Sequence, residues 1–289
     1  MDMKVAVTGG RGLVGRFVVD ELLRAGHELR VLTRTPWPEC PAEAEVVPNV
    51  DIRDFDALLP AFAGCEGVVH IANIPGPLDE DRPETFVNNV TGNYNVMLAA
   101  GLTGVRRLVV AGSTCAGGFC RNHHYPCPDY LPLDEQHPCR PDDTYGIGKY
   151  LSELMAERMA QRFPGLSIHT LRISWVIDPA RDYPRMAREW EERQGFDGNL
   201  GTYIDVRDAA VAFRLALETQ LTGAEVFYIL NPDALGDYPS GDYARERFPG
   251  VTLPADFGEH QALESADKAR RLLGWEPKHF LRQEVARYR

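Results

Sequence analysis

Short apolar runs alternate with amphipathic stretches over the first two thirds of the chain. Runs at residues 5–7, 29–32, 45–47, 68–71, 108–111 and 168–171 predict strands. Helical spacing of apolar residues between these runs predicts helices near 13–25, 55–63, 84–101 and 144–163. The repetition of strand, helix and strand indicates an α/β fold whose parallel sheet carries helices on both faces.

The last third of the chain contains more proline and glycine. It predicts loops at 178–201 and 231–241, a helix at 205–218 and a strand at 225–229. A last helix at 265–273 ends at Gly274, the residue type that most often closes a helix. Because the chain returns to the sheet near 203–218, we expect the second lobe to be interleaved with the first part.

Composition narrows the classes of function. Of the 289 residues, 44% are hydrophobic and 25% are charged, which is ordinary for a globular protein. The 42 acidic and 31 basic residues give a net charge of -11, a field that repels nucleic acid and anionic lipid surfaces. No apolar run reaches the ~18 residues that a membrane span needs.

The same sequence features predict a cytoplasmic location. The first residues lead directly into the strand-like run at 5–7, which leaves no room for a signal peptide. The six cysteines are therefore expected to be reduced thiols. Cysteines and histidines are dense between 115 and 140, but they form no C-x-x-C pair and their spacing is irregular, so no metal site is predicted.

A glycine-rich loop follows the first strand directly and opens the first helix, with the spacing G-x-x-G-x-x-G. In such a loop the first glycine makes the tight turn, the second lets the backbone approach a pyrophosphate, and the third lets helix and strand pack closely. The helix N-terminus offers free N–H groups to the phosphates. The loop predicts a dinucleotide site, to which it contributes Gly9, Arg11, Gly12, Leu13, Val14 and Gly15.

The residues after the second strand favour NADP over NAD as the cofactor. NAD sites place an Asp or Glu there, on the adenosine ribose hydroxyls. Thr33 occupies that position and Arg34 follows it, so a guanidinium suited to a 2′-phosphate replaces the carboxylate. NAD remains the alternative. Asp51 and Ile52 follow the third strand, where an Asp can accept a hydrogen bond from the adenine amino group.

A tyrosine and a lysine begin the helix predicted at 144–163. Tyr145 and Lys149 are four residues apart and share one helix face. Because an ammonium favours the phenolate, Lys149 is expected to lower the pKa of Tyr145 and fit it for proton exchange with a substrate oxygen. Ser113 and Thr114 follow a middle strand, at the edge where open α/β sheets bind ligands.

Together these motifs resemble the extended short-chain dehydrogenase/reductase family, the NAD-dependent epimerase/dehydratase group. The resemblance extends from Thr8 to about Trp275 and includes the glycine loop, Ser113, the Tyr145/Lys149 pair, and segments at 51–54, 69–72, 89–92, 171–173, 203–206 and 268–275. It implies a Rossmann domain at 1–176, to which 203–230 return, and a small substrate lobe formed by 177–202 and 231–289.

The resemblance also implies roles for individual residues. Tyr145 is the implied acid/base, Lys149 its tuner and ribose anchor, and Ser113 the partner of the substrate oxygen. Asn89 is implied to lie on the nicotinamide side of the cofactor. Further implied cofactor contacts are Ala72, Asn73 and Ile173.

Departures from the family pattern favour a small substrate. Family dehydratases carry Asp-Glu directly after the catalytic hydroxyl residue, whereas Thr114 and Cys115 follow Ser113 here. Family sugar-nucleotide epimerases carry an arginine where this chain has Gly201. We therefore expect a smaller substrate, with sugar-derived compounds as one class. Its expected contacts are Asn73, Ser113, Thr114, Cys115, Ser174, Trp175 and Arg207, with Arg172 as a further candidate.

Cys115 leaves one alternative open. In family members that form deoxysugars by epimerisation and reduction, a cysteine two residues after the catalytic serine is an acid/base, and Cys115 has that spacing. Their partner histidine has no evident match after Val176.

The leading hypothesis is an NAD(P)-dependent oxidoreductase in which hydride passes between the nicotinamide and a carbinol or carbonyl carbon. An epimerase of a sugar or sugar nucleotide is the first alternative, because it takes the same hydride and returns it to the other face. A non-catalytic dinucleotide-binding regulator is the second, since fold alone does not fix function. The resemblance also implies a homodimer through the helices at 84–101 and 144–163.

Overall fold

A parallel β-sheet forms the centre of the computed structural model, which describes residues 2–76, 83–120, 122–189 and 199–288. The strands are β1 (Lys4–Thr8), β2 (Glu28–Leu32), β3 (Glu45–Val47), β4 (Gly67–His70), β5 (Arg107–Ala111), β6 (Ser167–Ile173), β7 (Trp175–Ile177), β8 (Tyr203–Asp205) and β9 (Ala224–Ile229). The α-helices in the described ranges are α1 (Leu13–Arg24), α2 (Phe55–Phe62), α3 (Pro83–Leu102), α4 (Thr144–Arg162), α5 (Pro179–Glu189), α6 (Val206–Glu218), α7 (Ser240–Arg247), α8 (Asp267–Leu273) and α9 (Leu281–Val285). None of these helices combines the length and the hydropathy that a membrane crossing requires.

The order of the strands creates the crevice that a ligand can enter. Every neighbouring pair in the seven-stranded sheet is parallel, in the order β3-β2-β1-β4-β5-β6-β9, and β7 pairs with β8 beside it. The direction of strand addition reverses at β1, which lies between β2 and β4. Doubly wound sheets bind ligands beyond the carboxyl ends of the strands at such a reversal. The predicted doubly wound α/β fold is confirmed.

Side chains of successive strand residues alternate between two apolar cores. Val5 and Val7 of β1 pack with α1 and α6 on one face, whereas Ala6 packs with α2, α3 and α4 on the other. Because both faces are covered, the strands are continuous apolar runs rather than alternating ones. Trp275 belongs to the first core and has no exposed surface. Its indole N–H donates to the Asp208 backbone carbonyl at 3.0 Å.

Two smaller clusters lie beyond the central sheet. One brings Phe119 and Leu133 together with Phe248 and Leu263, so the lobe predicted at 231–289 packs against the segment that follows β5. The other cluster packs β7 and β8 against α5 and α9. These contacts attach the second part of the chain to the carboxyl edge of the sheet.

A helix replaces much of the loop predicted at 178–201. α5 begins at Pro179, and the Asp178 carboxylate accepts the Ala180 N–H at 3.1 Å. Asp followed by Pro is a helix-start signal, but the charged residues that follow obscure the spacing of the buried Tyr183 and Met186. The strands β7 and β8 were also missed, because three residues carry too little periodicity. Residues 190–198 of that predicted loop lie outside the described residues.

An ion pair between α4 and β6 is buried in the interior. The Arg172 guanidinium donates to the two Glu153 carboxylate oxygens at 2.8 and 2.7 Å, and the two side chains are 3% and 6% exposed. The guanidinium also lies over the Tyr228 ring, 5.0 Å from its centroid. These contacts correct the expectation that Arg172 contacts substrate, because its guanidinium is already paired with the Glu153 carboxylate in the protein interior.

Replacing Glu153 with glutamine should destabilise the folded protein by about 3 kcal/mol, because the Arg172 charge would stay buried without its counter-charge. Urea unfolding measures the change. The matched control is Glu66→Gln, which breaks an exposed ion pair: the Glu66 side chain is 43% exposed and that of its partner Arg106 is 68% exposed. This substitution should lower the free energy of unfolding by at most ~1 kcal/mol. Equal effects of the two substitutions would contradict the role of the buried pair.

Candidate active site

The glycine loop brings β1, β4 and α1 into contacts that only glycine permits. Gly9 has a φ of +76°, and a Cβ atom there would lie 2.5 Å from the Ala72 nitrogen. A Cβ atom at Gly15 would lie 2.1 Å from the Gly9 carbonyl oxygen. Both separations are too short for any side chain, so these glycines fix the tight turn and the close helix packing that the loop spacing predicts.

The first turn of α1 is suited to an anion. Gly12 is the N-cap residue and supplies no side-chain hydrogen bond, and the first turn contains no acidic residue. The first N–H groups of a helix have no partner within it and carry a partial positive charge. Such a helix end fits a phosphate group.

A cavity of about 830 Å³ extends from the glycine loop to the start of α4. Most of the residues predicted to contact cofactor or substrate line it: Gly9, Arg11, Gly12, Leu13, Val14, Arg34, Asp51, Ile52, Ala72, Asn73, Ser113, Thr114, Cys115, Tyr145, Ile173, Ser174 and Trp175. Gly15, Asn89 and Lys149 lie outside this lining but contact residues that form it or adjoin it.

Several polar atoms of the cavity wall fit a ligand that completes their hydrogen bonds. Thr33 Oγ1, both side-chain amide atoms of Asn73 and Ser174 Oγ are buried without a partner among the described residues. Buried polar groups in proteins are nearly always hydrogen-bonded, so orphans on a cavity wall indicate a bound partner. With the glycine cradle and the open helix end, they fit a dinucleotide.

Arg207 does not line this cavity. Its guanidinium donates to the Asp205 carboxylate at 2.9 Å and to the Tyr183 hydroxyl at 3.2 Å. These bonds correct the prediction that Arg207 contacts substrate. The sequence shows both charged residues, but not that the Asp205 carboxylate binds the Arg207 guanidinium.

Two guanidinium groups stand at the end of β2. Arg34 is exposed on the cavity wall, and Arg11 donates to the Thr35 hydroxyl at 3.1 Å. A hydrogen bond from Arg53, with a smaller contribution from Arg34, lowers the pKa of Asp51 to about 2. The end of β2 therefore presents positive charge to the cavity, and Asp51 is ionised beside it.

Asn89 holds the loop that follows β4. Its side chain accepts the Ile74 N–H at 2.8 Å and donates to the Ile74 carbonyl at 3.0 Å. This clamp fixes the segment that carries Ala72 and Asn73 on the cavity wall. Asn89 therefore acts on the cavity through this backbone contact.

Tyr145 and Ser113 meet at the end of the cavity opposite β2. Asp143 caps α4 by accepting the Tyr145 and Gly146 N–H groups at 3.0 and 2.9 Å. Gly76 packs against the Tyr145 ring so closely that a Cβ atom there would lie 2.5 Å from it. Ser113, two residues after the end of β5, forms a hydrogen bond with the Tyr145 phenol.

Burial governs the ionisation of Tyr145 in the absence of cofactor. It raises the pKa of Tyr145, and the charge of Cys115 adds to the rise, while the hydrogen bond from Ser113 opposes it. The Lys149 ammonium lies 5.5 Å from the Tyr145 ring centroid and donates to the Ala111 carbonyl at 2.7 Å. In the cofactor-free chain the pKa of Tyr145 is therefore raised by loss of water around the phenol, and the lowering expected from Lys149 is not seen.

The cysteine- and histidine-rich stretch at 115–140 serves separate local contacts. His137 Nε2 accepts the Asp129 N–H at 2.9 Å, and the Asp142 carboxylate accepts the His124 N–H at 2.8 Å. Within the described ranges, no three potential metal ligands are grouped, and the cysteines are free thiols.

The cavity wall includes residues that the sequence did not predict. Gly76, Asn88, Cys120, Arg181 and Asn199 all line it. Cys120 lies in the cysteine-rich stretch, and Arg181 lies in the first turn of α5, which the loop prediction concealed. No sequence signal distinguished Asn199.

Known proteins share this architecture and its motifs. The model of the NAD dependent epimerase/dehydratase family matches residues 5–229. The chain belongs to this family. Its motifs therefore identify a family of NAD-dependent enzymes, and the prediction made from the glycine loop and the Tyr145/Lys149 pair is confirmed at that level.

Relatives in the family carry out different reactions. The chain is similar to L-arabinose 1-dehydrogenase (NAD(P)(+)) of Haloferax volcanii, with 34% identity over 230 residues, 75% of this chain and 84% of the relative. It is 26% identical over 314 residues to UDP-glucose 4-epimerase of Corynebacterium glutamicum, covering 96% and 92% of the two chains. The UDP-glucose 4-epimerase structure from Thermotoga maritima has the same fold, with a TM-score of 0.73, 24% identity, and coverage of 99% of this chain and 98% of that one.

Lys149 should make the stability of the cofactor-free protein rise in alkaline solution. Burial lowers its pKa from 10.5 to about 8, so between these values the unfolded chain holds a proton that the folded protein lacks. The unfolding free energy of the protein minus that of Lys149→Met should increase from about pH 8 to pH 10, by at most ~1.4 kcal/mol per pH unit. Denaturant titrations of both proteins at each pH measure this difference, and a flat or falling difference would contradict the burial of the ammonium.

Proposed function

We propose that the chain is an NADP-preferring dehydrogenase that oxidises a carbinol carbon of a small sugar or sugar acid. The observation that carries the proposal is the cavity shared by the glycine loop and the start of α4. A dinucleotide held by the α1 N-terminus and the end of β2 would extend along this cavity toward Ser113 and Tyr145. The family's hydride chemistry then takes place next to a phenol that can exchange a proton.

Tyr145, Ser113 and Lys149 have separate roles in this reaction. Oxidation of a carbinol removes a hydride from carbon and a proton from oxygen. Bound NADP supplies the hydride acceptor. Tyr145 takes the proton from the hydroxyl, and the Ser113 hydroxyl donates to the same oxygen and orients it. The Lys149 ammonium adds the positive charge that stabilises the Tyr145 phenolate.

The substrate end of the chain supports a free sugar over a sugar nucleotide. Gly201, where family sugar-nucleotide epimerases carry an arginine, has a φ of +69°, a conformation that strains other side chains. A diphosphate would therefore lack that cation here. Thr114 and Cys115 replace the acidic pair of the dehydratases. The Haloferax volcanii relative, named for L-arabinose, agrees with a free sugar.

The end of β2 supports NADP as the preferred cofactor. Arg34 stands on the cavity wall next to Thr33, and Arg11 approaches the same turn through its bond to Thr35. Two guanidinium groups there favour the extra phosphate of NADP, whereas the ribose hydroxyls of NAD would meet no carboxylate from β2.

An epimerase is the second candidate. The Corynebacterium glutamicum relative, which aligns with 96% of this chain, favours it. An epimerase returns the hydride and so shows no net reduction of the nicotinamide. A non-catalytic regulator is disfavoured, because Ser113, Tyr145 and Lys149 stand together at one end of the cavity.

We also propose that the protein is a cytoplasmic homodimer formed through α3 and α4. Apolar side chains are exposed on both helices: Val87, Tyr94 and Leu102 on α3, and Ile147 and Leu154 on α4. A second copy of this surface would bury them. The free thiols among the described residues favour a reducing compartment.

The purified protein should reduce NADP+ in the presence of a free sugar or uronic acid. The assay follows the absorbance of reduced nicotinamide with L-arabinose, D-glucuronate, D-galacturonate and UDP-glucose, each offered with NADP+ and with NAD+. Tyr145→Phe should lower kcat at least ~100-fold while leaving the fold and cofactor affinity intact, because it removes the proton carrier. Interconversion of a sugar epimer without net reduction would favour the epimerase instead, and full activity of Tyr145→Phe would contradict the proposed chemistry.

Arg34→Ala should reduce the preference for NADP+ over NAD+ about tenfold in kcat/KM. Hydrogen bonds to charged groups contribute ~1.5–3 kcal/mol, and 1.4 kcal/mol is a factor of ten. Arg106→Ala, a surface substitution at the opposite end of the sheet, should leave the preference unchanged. Wild-type preference for NAD+, or no shift in Arg34→Ala, would refute the role of Arg34.

A further inference from the structure

Two thiols lie together on the wall of the active-site cavity. Cys115 and Cys120 both line it, and their side chains are hydrogen-bonded to each other. The Cys120 sulfur is also 3.3 Å from the Thr114 hydroxyl oxygen. The two cysteines are 9% and 2% exposed, so the cavity is where small molecules can reach them.

A glycine turn keeps the two thiols side by side. The short helix at Thr114–Gly117 ends at Gly118, whose φ is +87°. A Cβ atom at Gly118 would lie 2.3 Å from the Arg140 carbonyl carbon, so no larger residue fits. The chain turns back at this glycine and brings Cys120 to Cys115. The backbone turn at Gly118 therefore sets the position of Cys120 relative to Cys115.

The two sulfurs differ in their surroundings. Cys115 and Lys149 are electrostatically coupled, since the charge of Cys115 favours the Lys149 ammonium. Lys149 therefore places a positive charge near the Cys115 sulfur. The hydrogen bond to Cys115, together with burial, raises the pKa of Cys120, which stays a thiol. Burial raises the pKa of the neighbouring Glu264 to about 8, so this carboxyl is mostly neutral at pH 7 and adds little negative charge near the two sulfurs.

We propose that Cys115 and Cys120 form a peroxide-sensitive modification site, which hydrogen peroxide converts to a disulfide inside the active-site cavity. The Cys115 sulfur attacks one peroxide oxygen, the O–O bond breaks, and the hydroxide that leaves is protonated to water. The Cys120 sulfur then attacks the Cys115 sulfenic acid, the S–O bond breaks, and a second water leaves. Two thiols are oxidised and one peroxide is reduced to two waters.

The disulfide acts on the reacting end of the site. The Cys115 N–H donates to Ser113 Oγ at 3.2 Å, and Ser113 is bonded to the Tyr145 phenol. An S–S bond of about 2.05 Å is much shorter than a hydrogen-bonded contact between sulfurs, so it draws Cys115 toward Cys120. Under this proposal, the reduced protein is the form that keeps the hydrogen bond between Ser113 and Tyr145. The chemical step itself does not depend on which substrate the enzyme takes.

Peptide mass spectrometry of the full-length protein tests this site. Cys115 and Cys120 lie in one tryptic peptide, between Arg107 and Arg121. After treatment with hydrogen peroxide, this peptide should be lighter by two hydrogen atoms and should resist alkylation, and dithiothreitol should reverse both changes. NADPH at about ten times its Kd leaves about a tenth of the protein free, so it should slow the oxidation about tenfold.

Two variants separate the roles of the sulfurs. In Cys120→Ser, oxidation should stop at the Cys115 sulfenic acid, which dimedone traps on the same peptide. Cys127→Ser removes an exposed thiol outside the cavity and should behave as the wild type does. An unchanged peptide, sulfinic acids without loss of two hydrogens, no protection by NADPH, or no dimedone adduct in Cys120→Ser would each overturn the proposal.

Discussion

The active site depends on the burial of an ammonium and a phenol on one face of α4, against the carboxyl edge of the sheet. Lys149 is 3% exposed, and its bond to the Ala111 carbonyl ties the helix to β5. Removing water from the two groups favours their neutral forms, so the cofactor-free site holds Tyr145 as a phenol and weakens the lysine charge. Under the proposed function, the proton-transfer group is held in place before cofactor binds, and the positive charge of a bound oxidised nicotinamide would add to that of Lys149 in favouring the phenolate.

The parallel sheet brings the other parts of the site to this same edge. β1 leads into the glycine loop, β4 into the segment clamped by Asn89, and β5 into the turn that carries Ser113. Because all three strands run in one direction, their carboxyl ends share one rim, and α1 and α4 both start there. Gly9, Gly15 and Gly76 are among the positions on this rim that are too crowded for a side chain. Their small size lets one cavity extend from the phosphate end to the phenol.

Much of this arrangement could be predicted from the sequence, and what could not has a physical reason. Some features are local sequence patterns and can be recognised without a structure: the order of strands and helices, the glycine loop and the Tyr145/Lys149 pair. Arg207 and Arg172 were misjudged because their partners, Asp205 and Glu153, become contacts only in the folded chain. The Tyr145 pKa was misjudged for a related reason, since helix spacing reveals a nearby charge but not the loss of water. The contact between Cys115 and Cys120 depends on the turn at Gly118, which spacing alone does not show.

The titration of Tyr145 tests the central claim most directly. Tyrosine labelled with ¹³C at the ζ carbon allows each phenol to be followed by NMR, and comparison with Tyr145→Phe assigns the signal. In the cofactor-free protein, the Tyr145 signal should stay that of a phenol beyond pH ~10, the ordinary tyrosine pKa. With saturating NADP+, the same signal should titrate at a clearly lower pH. Ionisation near neutral pH without cofactor, or no change on adding NADP+, would contradict the account of a buried phenol that bound cofactor activates.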